Sequence, residues 1–175
     1  EVLRVGADKV CLNTAIIKNP DLIKTSSRKF GSSTIVVAIE AIKEENGKYL
    51  AYTDNGREYT GIEVVSWVKK VQELGAGEII LTSVDREGTG KGFDELLISK
   101  VSKVAKVPLI IHGGAGSKNH ISEILKEYDV DAVSSSAIFH YDFIKNNKKK
   151  VVNASEGNFD FLLSGRSVKN IQTST

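Results

Sequence analysis

The sequence predicts an α/β fold built on a largely parallel sheet, and three observations carry that prediction. Short apolar, β-branched runs alternate with amphipathic helical stretches along the chain. Each run is apolar over three to five consecutive residues instead of alternating, the pattern of strands buried on both faces beneath helices. Loops rich in Gly, Ser or Thr follow the runs, and ligands of parallel sheets sit beyond those carboxyl ends.

The strand runs are Lys9 to Leu12, Ile35 to Ile39, Glu78 to Val84, Pro108 to Ile111 and Asp131 to Val133. Between them, Asn19 offers a cap and Pro20 a first helical position for a helix from Asp21 to Phe30, stopped by Gly31. Ile62, Val65, Val68 and Leu74 share one helical face, with Gly75 as the stop. Phe93, Leu96, Leu97, Val101 and Val104 form the next face before Pro108. Ser117 can cap a helix from Lys118 to Glu127. Residues 44 to 60 depart from the pattern. Asn46-Gly47 and Asn55-Gly56 are turn dipeptides on either side of an apolar segment, so a small antiparallel excursion is expected on a βα loop. Gly6-Ala7-Asp8, Gly75-Ala76-Gly77 and Val130-Asp131-Ala132 echo one another before three strands. A complete eight-stranded α/β barrel needs about 250 residues. Five strands therefore fit a barrel fragment or an open doubly wound sheet, and the pattern leaves both open.

Composition bounds the function. The 175 residues are 41% hydrophobic and 26% charged, enough for one domain with a core of its own. Lys plus Arg is 24 and Asp plus Glu is 22, a formal charge of +2, which gives no field for nucleic acid or an anionic membrane. Cys11 is the single cysteine. It excludes an internal disulfide and a multi-cysteine zinc site, fits a reducing, cytoplasmic setting, and is expected in the core. The longest apolar runs are far too short to span a bilayer, and no signal peptide is visible. The first residue is Glu1, expected inside a helix, so the chain reads as a piece of a longer one. A single domain is expected over 1–175, with 148–175 as an irregular tail containing the solvated run Lys148 to Lys150.

The strand ends carry the chemistry. Ile111-His112-Gly113-Gly114-Ala115-Gly116 leaves a strand through three glycines and enters a helix, an arrangement that can crowd backbone N–H groups around phosphate. Ser134 to Ala137 adds hydroxyls and N–H donors at the next strand end, so Gly113, Gly114, Ser136 and Ala137 are candidate phosphate ligands. The alternative is a tight turn without a ligand. Asn13 and Thr14 end another strand and suit a second phosphate or a helix cap. Glu40 closes an apolar strand, where partial desolvation would suit general-acid work. Asp85 and Glu87 follow Thr82-Ser83 and bring further acid to the mouth, unless Asp85 pairs with Arg86 or Lys91. His112 sits at the glycine turn, His120 on a helix surface and His140 beyond the last strand, with no metal-ligand spacing. Lys9 and Glu78 begin strands and read first as an ordinary ion pair or solvated edge.

From Gly6 to about His140 these residues resemble the cyclase subunit of imidazole glycerol phosphate synthase. The carriers are Gly6 to Val10, Leu12 to Ala15, Val36 to Ile39, Gly75 to Glu78, Leu81 to Thr89, Gly113 to Gly116 and Ile138 to His140. The resemblance implies a parallel (β/α)8 TIM barrel, of which this chain would hold strands 4 to 8. It implies ammonia from a glutaminase partner, a bisphosphorylated aminoimidazole carboxamide ribonucleotide derivative as substrate, and no cofactor. Asn13 and Thr14 then match one phosphate site, and Gly113, Gly114, Ser136 and Ala137 the other. Glu40 and Glu87 match catalytic acids, Thr82 lines the mouth, and Lys9 and Glu78 match members of a charged gate for ammonia.

The chain departs from that family at named places. Both acids are normally Asp; Glu moves the carboxyl by roughly 1.5 Å, one covalent bond length. His112 stands where a small residue is usual, and the family's other catalytic Asp lies on a first strand that this chain does not contain. The tail, Glu156 to Phe161 and Ser167 to Ile171, resembles paralogues in surface-polysaccharide clusters, which pass ammonia to an amidotransferase that makes acetamidino sugars. A third reading is a non-catalytic phosphate-binding scaffold for a glutaminase.

Overall fold

The computed structural model of the chain describes residues 1–146. The tail, on which the polysaccharide reading rests, lies outside the described residues. The strands are β1 (Val10–Leu12), β2 (Ile35–Lys43), β3 (Tyr49–Thr53), β4 (Glu58–Glu63), β5 (Glu78–Ser83), β6 (Leu109–His112) and β7 (Ala132–Ser134). The helices are α1 (Thr14–Lys18), α2 (Asp21–Phe30), α3 (Val64–Glu73), α4 (Glu95–Ser102), α5 (Lys118–Glu127) and α6 (Ala137–Asn146). Glu1 precedes a single 3-10 turn, Val2–Val5, where a helix was expected. Gly6, at φ 111°, ends that turn before it can become α-helical.

Strands β1, β2, β5, β6 and β7 are parallel and lie side by side in chain order. A doubly wound sheet reverses its strand order at a switch point; these five strands do not reverse. The chain is thus an α/β protein with a mostly parallel sheet, wound as the strands of a barrel are wound.

The antiparallel excursion is present, and it changes where β2 ends. Instead of stopping at Ile39, β2 runs to Lys43. β1 pairs with β2 only over Ile35 to Val37, and β3 takes over the same edge by pairing antiparallel with Glu40 to Lys43. Hydrogen bonding to β3 thus sustains four further residues of strand. The β3–β4 turn carries Asp54, Asn55 and Gly56, all at positive φ, the conformation that the Asn-Gly dipeptide favours.

Register shows which side chains share a face. Val37, Ile39 and Ala41 of β2 point the same way as Ile79, Leu81 and Ser83 of β5 and Leu109 and Ile111 of β6. All are buried, and Trp67, Val68 and Val71 of α3, Leu97, Ile98 and Val101 of α4, and Ile124 of α5 join the same core. Full burial of each such aliphatic side chain is worth roughly 1.5–3 kcal/mol.

The opposite face differs from the expectation of burial on both sides. Cys11, Val36, Ala38, Ile80, Ile110 and Ala132 share it, and apart from Val36, which is buried, they are exposed or only half-buried. No helix among the described residues covers this face, so Cys11 is exposed instead of lying in the core. The apolar runs were legible as strands, but apolarity on the second face does not by itself say what covers it.

Candidate functional site

Register lines up one residue from each strand end on the uncovered face. Glu40 pairs with Thr82, Thr82 with His112, and His112 with Ser134. Neighbouring strands lie about 4.8 Å apart, so these four side chains form a row across the carboxyl ends of the strands. Asn13 joins the row at Glu40: its Nδ2 donates to Glu40 Oε1 at 2.9 Å. The other carboxylate oxygen accepts the Gly56 N–H from the hairpin turn, also at 2.9 Å. Both oxygens of the half-buried acid therefore have N–H donors, which fix the direction of the carboxyl group. Gly56, at φ 76°, comes so close to Val84 that a Cβ would lie 2.8 Å from Val84 Cγ1. The hairpin tip is thereby packed against the β5 end, with its N–H aimed at Glu40.

Glu87 lies elsewhere, on the far side of Thr82. A cavity of about 120 Å³ is lined by Glu87, His112, Gly113, Gly114, Ser136 and Ala137, together with neighbouring Gly, Ala and Ser residues. All four residues expected at the second phosphate site meet here. The first-turn N–H groups of α6 have no intrahelical acceptor, and α6 begins at Ala137 on the cavity wall. Gly114 sits at φ 111°, and a Cβ there would approach Gly92 O to 2.2 Å. Its conformation also allows Gly92 N–H to donate to Gly114 O at 2.8 Å. The glycine turn is thus required by packing against the β5–α4 loop, independently of any ligand. Thr14 is exposed in the first turn of α1, a five-residue helix that the sequence pattern had not revealed because it is too short for an apolar period.

Asp85 does not join the row. Its Oδ2 accepts the Lys43 N–H at 2.9 Å, and it lines a separate cavity of about 440 Å³ with Lys43, Tyr49, Arg86, Phe93 and Asp94. Neither Arg86 nor Lys91 holds it in an ion pair among the described residues. Sequence reasoning missed this cavity's centre. Tyr49 is 2% exposed and donates its hydroxyl to both oxygens of Asp94, at 2.8 and 3.0 Å. Asp94 caps α4 by accepting the Leu97 N–H. Burial, reinforced by the Asp94 carboxylate, pushes the Tyr49 phenol well above its ordinary value. An Asp three residues before an apolar Leu was the available signal for the cap.

His120 is not simply a helix-surface residue. It lies in the first turn of α5, and its Nδ1 accepts the Gly116 N–H at 3.1 Å. Ser117 does cap α5, accepting the His120 N–H at 3.3 Å. At the opposite end of the uncovered face, Lys9 Nζ contacts Glu78 Oε1. This ion pair crosses the start of β2, because β1 and β5 lie on its two edges. Among the described residues no group of three His, Cys, Asp or Glu is placed to hold a metal, and no helix is long and apolar enough to cross a membrane.

Known proteins are similar to this sequence. A family profile described as "Histidine biosynthesis protein" matches residues 1–145. The imidazole glycerol phosphate synthase subunit HisF of Bacillus cereus (strain AH187) is 47% identical over 156 residues, which cover 88% of this chain and 62% of that protein. The subunit of the same name from Prochlorococcus marinus (strain MIT 9515) is 44% identical over 166 residues, covering 89% of this chain and 65% of that one. The chain thus spans just over six-tenths of the length of these relatives. A match over 145 of the 175 residues, together with parallel strands wound in chain order, places the chain in the histidine biosynthesis protein family.

Proposed function

We propose that the whole protein is the ammonia-dependent cyclase subunit of an imidazole glycerol phosphate synthase, and that the sheet described here is part of a (β/α)8 barrel. The observation that carries this reading is the division of the uncovered face. Its carboxyl end presents the row from Asn13 and Glu40 through Thr82 and His112, and its amino end presents the Lys9–Glu78 pair. The inside of a barrel would be such a face, polar at both ends and apolar between them. The names of the relatives support the histidine pathway and do not favour the polysaccharide paralogue or the scaffold.

In this reading the substrate's two phosphates lie at the two ends of the row. Gly113, Gly114, Ser136 and Ala137 take one through backbone N–H groups and the α6 terminus. Asn13 and Thr14 face the other. Glu40 handles a proton between them, its carboxyl group oriented by Asn13 and Gly56. Glu87, beside the glycine turn, is the second acid. Ammonia delivered by a glutaminase subunit passes Lys9 and Glu78 and crosses the apolar middle to the row. The products are imidazole glycerol phosphate and an aminoimidazole carboxamide ribonucleotide.

The test is turnover of the bisphosphate by the whole protein with ammonium salt and no glutaminase. Formation of imidazole glycerol phosphate is expected. A folded protein that binds the bisphosphate without converting it would overturn the cyclase reading in favour of the scaffold.

A further inference from the structure

We propose that His112 is a phosphate-binding residue of the 120 Å³ cavity, donating its Nε2–H to a phosphate oxygen, with Thr82 as the positioning residue that turns the ring. The inference rests on the phosphate reading of that cavity and deepens it by naming the side chain that recognises the charge.

His112 is the last residue of β6, in register between Thr82 and Ser134, and it lines the cavity. Its Nδ1 lies 3.2 Å from Thr82 Oγ1, the one protein hydrogen bond that the ring makes among the described residues. Thr82 itself is buried and stands beside His112 on the neighbouring strand, so its Oγ1 meets the ring from a fixed backbone position. A neutral ring that accepts the threonine proton at Nδ1 keeps its own on Nε2, and a charged ring donates at Nδ1 to the same oxygen and also carries a proton on Nε2. In these two states Nε2–H is a donor, and among the described residues it has no protein partner; phosphate binding selects them over the neutral tautomer protonated at Nδ1.

The charges around the cavity create the need for that donor. Glu87 is on the wall, and its carboxylate repels a phosphate dianion. Arg86 comes near Gly114 through its Cβ, but it lines the 440 Å³ cavity and not this one. Glu40, beyond Thr82, is held by Asn13 and Gly56. His120 has its Nδ1 on the Gly116 N–H. Among the residues lining the cavity, His112 has the one side chain that can carry positive charge. Glycine N–H groups and serine hydroxyls supply dipoles; His112 is the lining side chain able to add positive charge opposite Glu87. The ligand class is a phosphate monoester, whose dianion accepts a charge-assisted bond.

The test titrates the whole protein with inorganic phosphate, following the His112 ring resonances by NMR and the affinity by calorimetry. The Nε2 resonance is expected to move on saturation. His112→Phe, which keeps the ring's bulk and removes its donors, should weaken phosphate about tenfold, the loss of one charge-assisted bond. Thr82→Val should weaken binding in the parent protein and add little to His112→Phe, since it acts through the ring. Ser136→Asp, an acceptable helix cap that brings negative charge to the wall, should weaken phosphate separately. Saturable binding that Ser136→Asp weakens, with the ring resonance unmoved and His112→Phe unaltered in affinity, would overturn the role of His112 and leave the cavity reading intact. Absence of saturable binding by the parent protein would overturn both.

Discussion

Glu40 takes its position from partners far apart in sequence, Asn13 on one side and Gly56 on the other. The sequence marked Glu40 as an acid at the end of an apolar run, and that much was legible. Its setting was not, because Asn13 had a competing assignment as a phosphate ligand and Gly56 was legible only as a turn former. Tyr49 is a sharper case: nothing in its neighbourhood announces a buried phenol, and its partner Asp94 comes 45 residues later. Tyr49→Phe leaves Asp94 with fewer donors in a buried place, so it should lower unfolding stability by about 1–2 kcal/mol at neutral pH. The sign with pH follows from the raised phenol. The neutral phenol's contribution is full below the unfolded value near 10 and is lost as the pH rises through the folded one. In urea titrations the margin of the parent over Tyr49→Phe should therefore shrink above about pH 10. A margin that grows there would contradict the buried hydrogen bond.

Three helices start with the same device. Glu63, Asp94 and Ser117 each accept an N–H three residues on, from Ser66, Leu97 and His120. Ser117 was legible because serine is a common cap; glutamate is not among the usual ones, and Ile62, read on the helical face with Val65, belongs to β4 instead. Burial opposes the charge on Glu63, but the N–H and hydroxyl of Ser66 outweigh it and hold the carboxyl below its usual range. Its contribution is thus present above about pH 4.5 and is lost as the pH falls through the lowered value. Ser117→Ala should cost about 1 kcal/mol at neutral pH in urea titrations. Glu63→Gln should cost less as the solution is acidified below about pH 4.5. The glycine turn after β6 makes a different prediction. Gly114→Val brings a side chain against Gly92 O at a left-handed φ, and about 2 kcal/mol or more of stability should be lost in the absence of any ligand. An undiminished melting temperature would show that the loop gives way more easily than its backbone contacts suggest.

At the scale of the whole molecule, the alternation of strand and helix predicted the α/β class, and chain-order pairing of the parallel strands agrees with it. Apolar runs could not separate a sheet covered twice from one covered once, since an uncovered face that is apolar in its middle has the same composition. What distinguishes the two is register, which sets Glu40, Thr82, His112 and Ser134 in one row and leaves Asp85 outside it. In the proposed function this row is the reaction centre of an ammonia-dependent cyclase. The most direct measurement compares the whole protein with its Glu40→Gln variant, in turnover of the bisphosphate with ammonium salt and in affinity for the same compound. Glutamine keeps the length of the side chain but cannot exchange the proton, so turnover should fall by about a hundredfold or more while affinity changes little. A folded Glu40→Gln variant that turns over at the parent rate would contradict the account.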